Sequence, residues 1–209
     1  MKIAVICSNG KQGKLLVTEA LERGLDVTAV ARGENKSSTN KFIKKDLFDL
    51  TKEDIKEFDI LIDAFGAWTK ETLPMHTKSI IHLCNLVSNT SSRLLVVGGA
   101  GSLYTSIDHT VQLMDTNDFP DNFKPLAKSM SDSLIELRKR SDVNWTYISP
   151  AANFMADGKK TQTYQLAGEE LTLNSNSKSF ISYSDYAIAV IDEAINNRYN
   201  QKRISVFSK

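Results

Sequence analysis

Cysteine is scarce. Cys7 and Cys84 are the only two in 209 residues. They lie far apart and match no metal-ligand spacing, which speaks against a disulfide framework and a thiolate zinc site. Histidine is equally sparse, and no grouping of His, Cys, Asp and Glu suggests a metal ion. Neither sign of charge dominates, since 26 Lys and Arg face 25 Asp and Glu for a net charge of +1. Nucleic acid and anionic membrane surfaces are therefore not expected partners. No stretch reaches the roughly 18 uncharged apolar residues that a membrane helix needs. The N-terminal run Met1 to Ile6 meets a turn too early to be a signal peptide, so the expected location is cytoplasmic. Repeats, low-complexity tracts and Pro- or Gly-rich linkers are also missing, and nothing marks a domain boundary. Residues 1–209 are expected to form one domain around one core.

What is present is an alternation. Short apolar runs (Ile3–Ile6, Leu25–Ala31, Phe42–Ile43, Ile60–Ile62, Leu94–Val97 and Trp145–Ile148) read as strands. Between them lie stripes at three- and four-residue spacing. Leu15, Leu16, Ala20 and Leu21 form the first, with Gly24 as a helix stop. Leu73, His76, Ile80, Leu83 and Val87 form the second, and Leu126, Met130, Leu134 and Leu137 the third. Strands alternating with helices at this spacing predict a doubly wound α/β fold with a parallel sheet. After residue 152 the rhythm breaks. Residues 153–209 are expected to form a small C-terminal lobe over the sheet's C-terminal edge. Leu171–Leu173 would be a short strand there, Ser184 would cap a helix carrying Ala187, Ile188, Ile191 and Ile195, and Ile204–Phe207 would be a last strand.

The first strand runs into Cys7-Ser8-Asn9-Gly10-Lys11-Gln12-Gly13 and then a helix. Glycines in that context let a pyrophosphate approach the backbone, while the helix start offers free N–H groups. Cys7, Ser8, Asn9, Gly10, Gln12 and Gly13 are the candidate phosphate contacts. The pattern lacks its first glycine. Cys7 or Ser8 stands there, and a side chain forced to positive φ costs about 1–2 kcal/mol. Cys7 is read as a small residue tolerated in the turn rather than a redox thiol. The second strand ends at Arg32, with Lys36 beyond it, where an NAD-selective site would carry an acid. A guanidinium can hold a 2′-phosphate in two bonds. At about 1.5–3 kcal/mol per charged hydrogen bond, Arg32 gives tenfold or greater selection. The expected cofactor is NADP(H) in preference to NAD(H), with Glu34 close enough to weaken the preference. Asp46 and Leu47 after the third strand are candidate adenine contacts. Ala64, Phe65 and Gly66 would flank the ribose and pyrophosphate, and Gly98 and Gly99 the nicotinamide. Pro150 and Ala151 would line that pocket, with Asn153, Phe154 and Trp68 as substrate-binding walls.

Four stretches carry a family resemblance. They are Leu94–Leu103 (LLVVGGAGSL), Asp118-Phe119-Pro120 leading to Lys128, Trp145–Ala152 (WTYISPAA) and Ile181–Ala187 (ISYSDYA). With the N-terminal turn they span nearly the whole chain. In them the sequence resembles the NADH-flavin reductase group, atypical short-chain dehydrogenase/reductases related to the NmrA-like proteins and to biliverdin reductase B. The resemblance implies an NAD(P)-binding Rossmann fold and an oxidoreductase that passes a hydride to a small planar acceptor, a flavin or quinone. The Tyr-x-x-x-Lys pair of ordinary short-chain dehydrogenases is absent, because no tyrosine stands four residues before Lys128. Ser102 and Lys128 are the candidate catalytic residues. Flavin or quinone reduction mainly requires stacking at hydride distance, and solvent can supply the proton. The alternative is a non-catalytic NADP(H)-binding redox sensor of the NmrA type, acting on a protein partner. A sugar-nucleotide epimerase is disfavoured by the short C-terminal segment and the missing pair. His109 reads as a surface-loop residue, His76 and His82 as packed or solvent-exposed helix residues, and Tyr183 and Tyr186 as borders of the crevice able to stack on a planar substrate or, equally well, as core packing.

Overall fold

A computed structural model describes all 209 residues. In chain order the elements are β1 (Lys2–Ile6), α1 (Lys11–Glu22), β2 (Asp26–Ala31), β3 (Phe42–Lys44), α2 (Lys52–Ile55), β4 (Ile60–Asp63), α3 (Met75–Val87) and β5 (Arg93–Val97). Then follow α4 (Lys124–Arg138), β6 (Asn144–Pro150), β7 (Asn153–Met155), β8 (Gln165–Ala167), β9 (Phe180–Ser182), α5 (Tyr183–Asn196) and β10 (Lys202–Phe207). Eight strands make the main sheet in the order β3-β2-β1-β4-β5-β6-β10-β8. Its pairings are all parallel except the last, where β8 runs antiparallel to β10.

The apolar runs are continuous because both faces of the sheet are covered. Successive side chains point to opposite faces, so β1 divides cleanly. Ile3 and Val5 join α1 and α5 in one core. Ala4 and Ile6 join the α2, α3 and α4 side in the other. The switch in strand order falls at β1, which has β2 on one side and β4 on the other. In a doubly wound sheet that position opens a crevice beyond the strand ends.

Helix α1 stops where the glycine predicted. Gly24 has φ +68°, and Leu25 N–H returns to the Ala20 carbonyl at 3.0 Å. Two expectations for the C-terminal segment are corrected. The cap of α5 is Ser182, not Ser184. Ser182 holds an extended backbone (φ −75°, ψ 152°) and its hydroxyl accepts from Asp185 N–H at 3.0 Å, whereas Ser184 already lies inside the first turn. Leu171–Leu173 is not a strand. Leu171 N–H donates to the Tyr104 carbonyl at 2.7 Å, and Gln165–Ala167 is the segment that adds to the sheet through β10. Most of residues 153–209 is also continuous with the main body. β10 pairs with β6 and α5 packs on α1, which leaves the β7–β9 ribbon outside the main sheet. A buried ion pair fastens α5 at the opposite end from the crevice. Arg93 Nη2 meets Glu193 Oε1 at 2.9 Å, and the same oxygen accepts the N–H groups of Arg198 and Tyr199 at 3.0 Å.

Candidate functional site

Because β1 to β6 are parallel, the loops that follow them gather at one edge. That edge collects residues 7–13, 32–36, 46–47, 64–68, 98–102 and 150–154. The turn after β1 is tight. Ser8 N–H and the Ser8 hydroxyl both donate to the Val30 carbonyl at 3.1 Å, and Gly10 N–H returns to the Cys7 carbonyl at 3.1 Å. A Cβ on Gly13 would lie 2.7 Å from the Cys7 carbonyl oxygen and 2.8 Å from Ser8 Cα, so only glycine lets α1 start this close to the turn. Gly10 is different. Its φ is −66°, and an added Cβ would meet only the Cys7 carbonyl, at 3.4 Å.

No side chain caps α1, and its first turn holds no acid. The N–H groups of Lys11, Gln12 and Gly13 therefore have no partner within the helix and carry the positive end of its dipole. By contrast α5 has its serine cap and α2 a full capping box from Thr51 and Asp54. Gln12 is buried. Its Nε2 donates to the Tyr183 carbonyl at 3.2 Å, and its Oε1 is buried without a partner. An open helix start, an exposed Gly10 and an orphaned buried acceptor beside them fit a pyrophosphate with a neighbouring hydroxyl or amide donor.

Cys7 occupies the missing-glycine position at φ +60°, so the turn keeps the strained conformation that a glycine would adopt freely. Burial pushes its thiol well above the ordinary range, with Asp63 and Asp46 adding to the rise. That is opposite to what a reactive thiolate needs. Arg32 and Lys36 are exposed and neither side chain is in an ion pair. The Glu34 carboxylate is held by Lys44, which also lowers its pKa. Asp46 caps the short turn 47–49, accepting from Phe48 N–H at 3.0 Å. Leu47 is buried in the α2–α4 core, so its side chain is not available to adenine.

The glycines after β5 answer first to packing. A Cβ on Gly98 would sit 2.3 Å from the Tyr147 ring, one on Gly99 2.8 Å from Met130 Sδ, and one on Gly101 2.5 Å from Ala127 Cβ. Gly99 N–H donates to the Tyr147 hydroxyl at 3.1 Å. The two candidate catalytic residues do not meet. Ser102 is buried, and its carbonyl and hydroxyl oxygens both accept from Arg203 Nη1 at 2.9 Å. Lys128 is an exposed side chain of α4 paired with Asp132. Ser102 is thus fixed by a cation and Lys128 by a carboxylate of its own helix.

At the far end, Pro150 and Ala151 are buried. Asn153 is exposed, and the Phe154 ring lies 4.0 Å from that of Tyr183 and 4.8 Å from that of Tyr186. Tyr186 is fully buried and donates to the Ile148 carbonyl at 2.6 Å, so it packs the core rather than bordering the crevice. Trp68 is 70% exposed on the loop after β4. His76 anchors that loop, its Nε2 3.1 Å from the Ala67 carbonyl. His109 is an exposed loop residue, stacked on Tyr104 and 2.6 Å from Glu170.

Sequence reading missed Asp63. It closes β4 beneath the crevice, 3% exposed, with Oδ1 accepting Phe65 N–H at 2.9 Å. Burial pushes its pKa up to about 6. The signal was available as the one charge directly ending the apolar run Ile60-Leu61-Ile62. Arg203 was also missed, and nothing near it in sequence points to Ser102.

A parallel doubly wound sheet with an open helix start at its switch point defines a dinucleotide-binding Rossmann domain. The chain belongs to the NAD(P)H-binding family, whose sequence pattern it matches over residues 8–194. It is 39% identical to the uncharacterised protein YwnB of Bacillus subtilis (strain 168), over all of this chain and 99% of that protein. It also resembles a crystal structure from Streptococcus pneumoniae TIGR4, described as a "putative NADH-flavin reductase". That likeness has 52% identity and a TM-score of 0.98 and covers 100% of both chains. A Bacteroides thetaiotaomicron structure described as a "putative epimerase" is 32% identical with a TM-score of 0.87, covering 99% of this chain and 96% of that one. No helix is long and apolar enough to cross a membrane.

Proposed function

We propose that this protein is an NADPH-dependent reductase that delivers a hydride to a planar acceptor, a flavin or a quinone. The observation that carries the reading is the uncapped start of α1 flanked by the unpaired cations Arg32 and Lys36. Bound reduced nicotinamide would supply the hydride. The chain's own part is to bind and orient. The N–H groups of Lys11, Gln12 and Gly13 hold the pyrophosphate, and Arg32 and Lys36 hold the 2′-phosphate. Phe154 and the exposed Trp68 offer flat apolar surface to the acceptor.

The site's chemistry favours such an acceptor over an alcohol or carbonyl. Ser102 is engaged by Arg203 and Lys128 by Asp132, so carbonyl reduction would lack its positioned acid. A flavin or quinone takes its proton from water. The name carried by the Streptococcus pneumoniae relative supports the same class. The epimerase name of the Bacteroides relative is not carried over, because the Tyr-x-x-x-Lys pair is absent from α4.

Steady-state oxidation of NADPH and of NADH against FMN, riboflavin and a quinone series tests the reading. Saturable turnover with NADPH preferred is expected. In Arg32→Ala, NADPH affinity should fall about tenfold while NADH affinity stays nearly unchanged. Equal losses for both would reject Arg32 as the selector. Tight NADPH binding with no turnover on any acceptor would replace the reductase with a redox sensor.

A further inference from the structure

Asn9 stands in the phosphate turn, yet its side chain faces the loop after β2. Its Nδ2 donates to the Glu34 carbonyl at 2.8 Å, and its Oδ1 accepts from Lys36 N–H at 2.9 Å. Both ends of the amide are thus engaged across 25 and 27 residues of sequence. The bonds bracket loop 33–36, which is otherwise exposed and carries the two unpaired cations at or beside it. Gly33, between Arg32 and the first bracketed residue, packs no closer to Asn9 than 4.0 Å from an added Cβ. The loop is therefore held by hydrogen bonds rather than by packing. Next to Asn9, Ser8 ties the same turn to Val30 twice. The pyrophosphate turn and the end of β2 are one stitched unit.

We infer that Asn9 is a positioning residue for cofactor selection, fixing loop 33–36 so that Arg32 and Lys36 face the 2′-phosphate of a nucleotide bound at α1. The inference rests on the proposed NADP(H) preference and adds the device that sets it. Without the amide, loop 33–36 loses both of its bonds to the phosphate turn, keeps Asn35 Nδ2 on the Thr39 carbonyl at 2.7 Å and Glu34 on Lys44, and samples more conformations. The two cations then bind a 2′-phosphate only after the loop is ordered again, a conformational cost that falls on the phosphorylated ligand alone. The pyrophosphate contacts come from the N–H groups of α1 and are unaffected. A second arrangement works in the same direction. Glu34, the one acid in this loop, is turned to Lys44 and so does not compete for the cations.

The test is calorimetric binding of 2′,5′-ADP and of 5′-AMP, which differ only by the 2′-phosphate, to wild-type protein, Asn9→Ala, Arg32→Ala and the double variant. For Asn9→Ala the expected result is about a tenfold loss for 2′,5′-ADP with less than about a twofold change for 5′-AMP. The 2′,5′-ADP losses from Asn9→Ala and Arg32→Ala should combine to less than their product, because the first acts through the second. A merely structural role would weaken both ligands alike, and that outcome would overturn the inference. So would an Asn9→Ala protein that keeps the full wild-type preference, which leaves the NADP(H) reading standing. Wild-type protein that binds the two ligands equally would overturn the NADP(H) preference itself, and the inference with it.

Discussion

At the scale of single residues, Asp63 shows how burial sets a pH dependence. Its carboxyl lies under the crevice with one N–H donor and no cation beside it. Its folded pKa of about 6 stands above the roughly 3.9 of an unfolded aspartate. A group raised in this way stabilises the fold most fully below its unfolded value, and that contribution is lost as pH rises through the folded value. The window is therefore about pH 4 to 6, and its full height is about 2–3 kcal/mol. Asp63→Asn keeps an oxygen for Phe65 N–H and removes the charge. Urea unfolding should find the variant about as stable as wild type near pH 4 and about 2 kcal/mol more stable near pH 8. A constant difference across that range would mean that the carboxylate is not penalised by burial. The surroundings of other single residues were not legible from sequence, for a definable reason. Ser102 follows the fifth strand where a catalytic serine would stand, but a side chain 101 positions away holds it. Long-range partners of this kind leave no local pattern.

Elements were more legible than side chains, because an element is specified by spacing along the chain. The parallel strands, the helical stripes and the stop at Gly24 all follow from periodicity and from glycine's access to positive φ. The segment after β6 was harder. Its strands β7, β8 and β9 are three residues long, too short for alternation to separate Gln165–Ala167 from Leu171–Leu173. The glycines also divide by the element they serve, and sequence alone could not sort them. Gly98, Gly99 and Gly101 are set by Tyr147 and α4, although they look like a nucleotide loop. At the start of α1 the two kinds stand three residues apart. Gly13→Ala pushes a Cβ into backbone at 2.7 Å and should destabilise the protein by about 1–3 kcal/mol. Gly10→Ala adds a Cβ in ordinary contact at 3.4 Å, with a stability change below about 1 kcal/mol. That methyl group would stand where the pyrophosphate approaches, so NADPH affinity should fall at least about tenfold. Denaturation and calorimetry on the two variants separate fold from binding. A Gly10→Ala protein of unchanged affinity would place the phosphates elsewhere.

On the scale of the whole molecule, the crevice joins halves of the chain that are also linked through the sheet and through α1 packed on α5. β1 has the adenosine-side strands β2 and β3 on one flank and β4, β5 and β6 on the other. A dinucleotide laid across the strand ends would touch both, so binding should stabilise the fold as a unit. The β7–β9 ribbon is included, because Ser208 N–H reaches the Phe180 carbonyl at 2.8 Å and β9 leads directly into α5. A ligand that binds only the folded state adds about 2.7 kcal/mol at one hundred times its Kd. For a chain of this size that corresponds to a rise in Tm of roughly 5–10 °C. Scanning calorimetry should therefore show one transition moved upward by NADPH, and moved less by NADH at the same concentration because the Arg32 and Lys36 contacts are missing. FMN alone, which cannot reach those cations and the start of α1 together, should leave it nearly in place. Two transitions, with only one moved by NADPH, would show that the halves unfold separately and that the nucleotide grips only one of them.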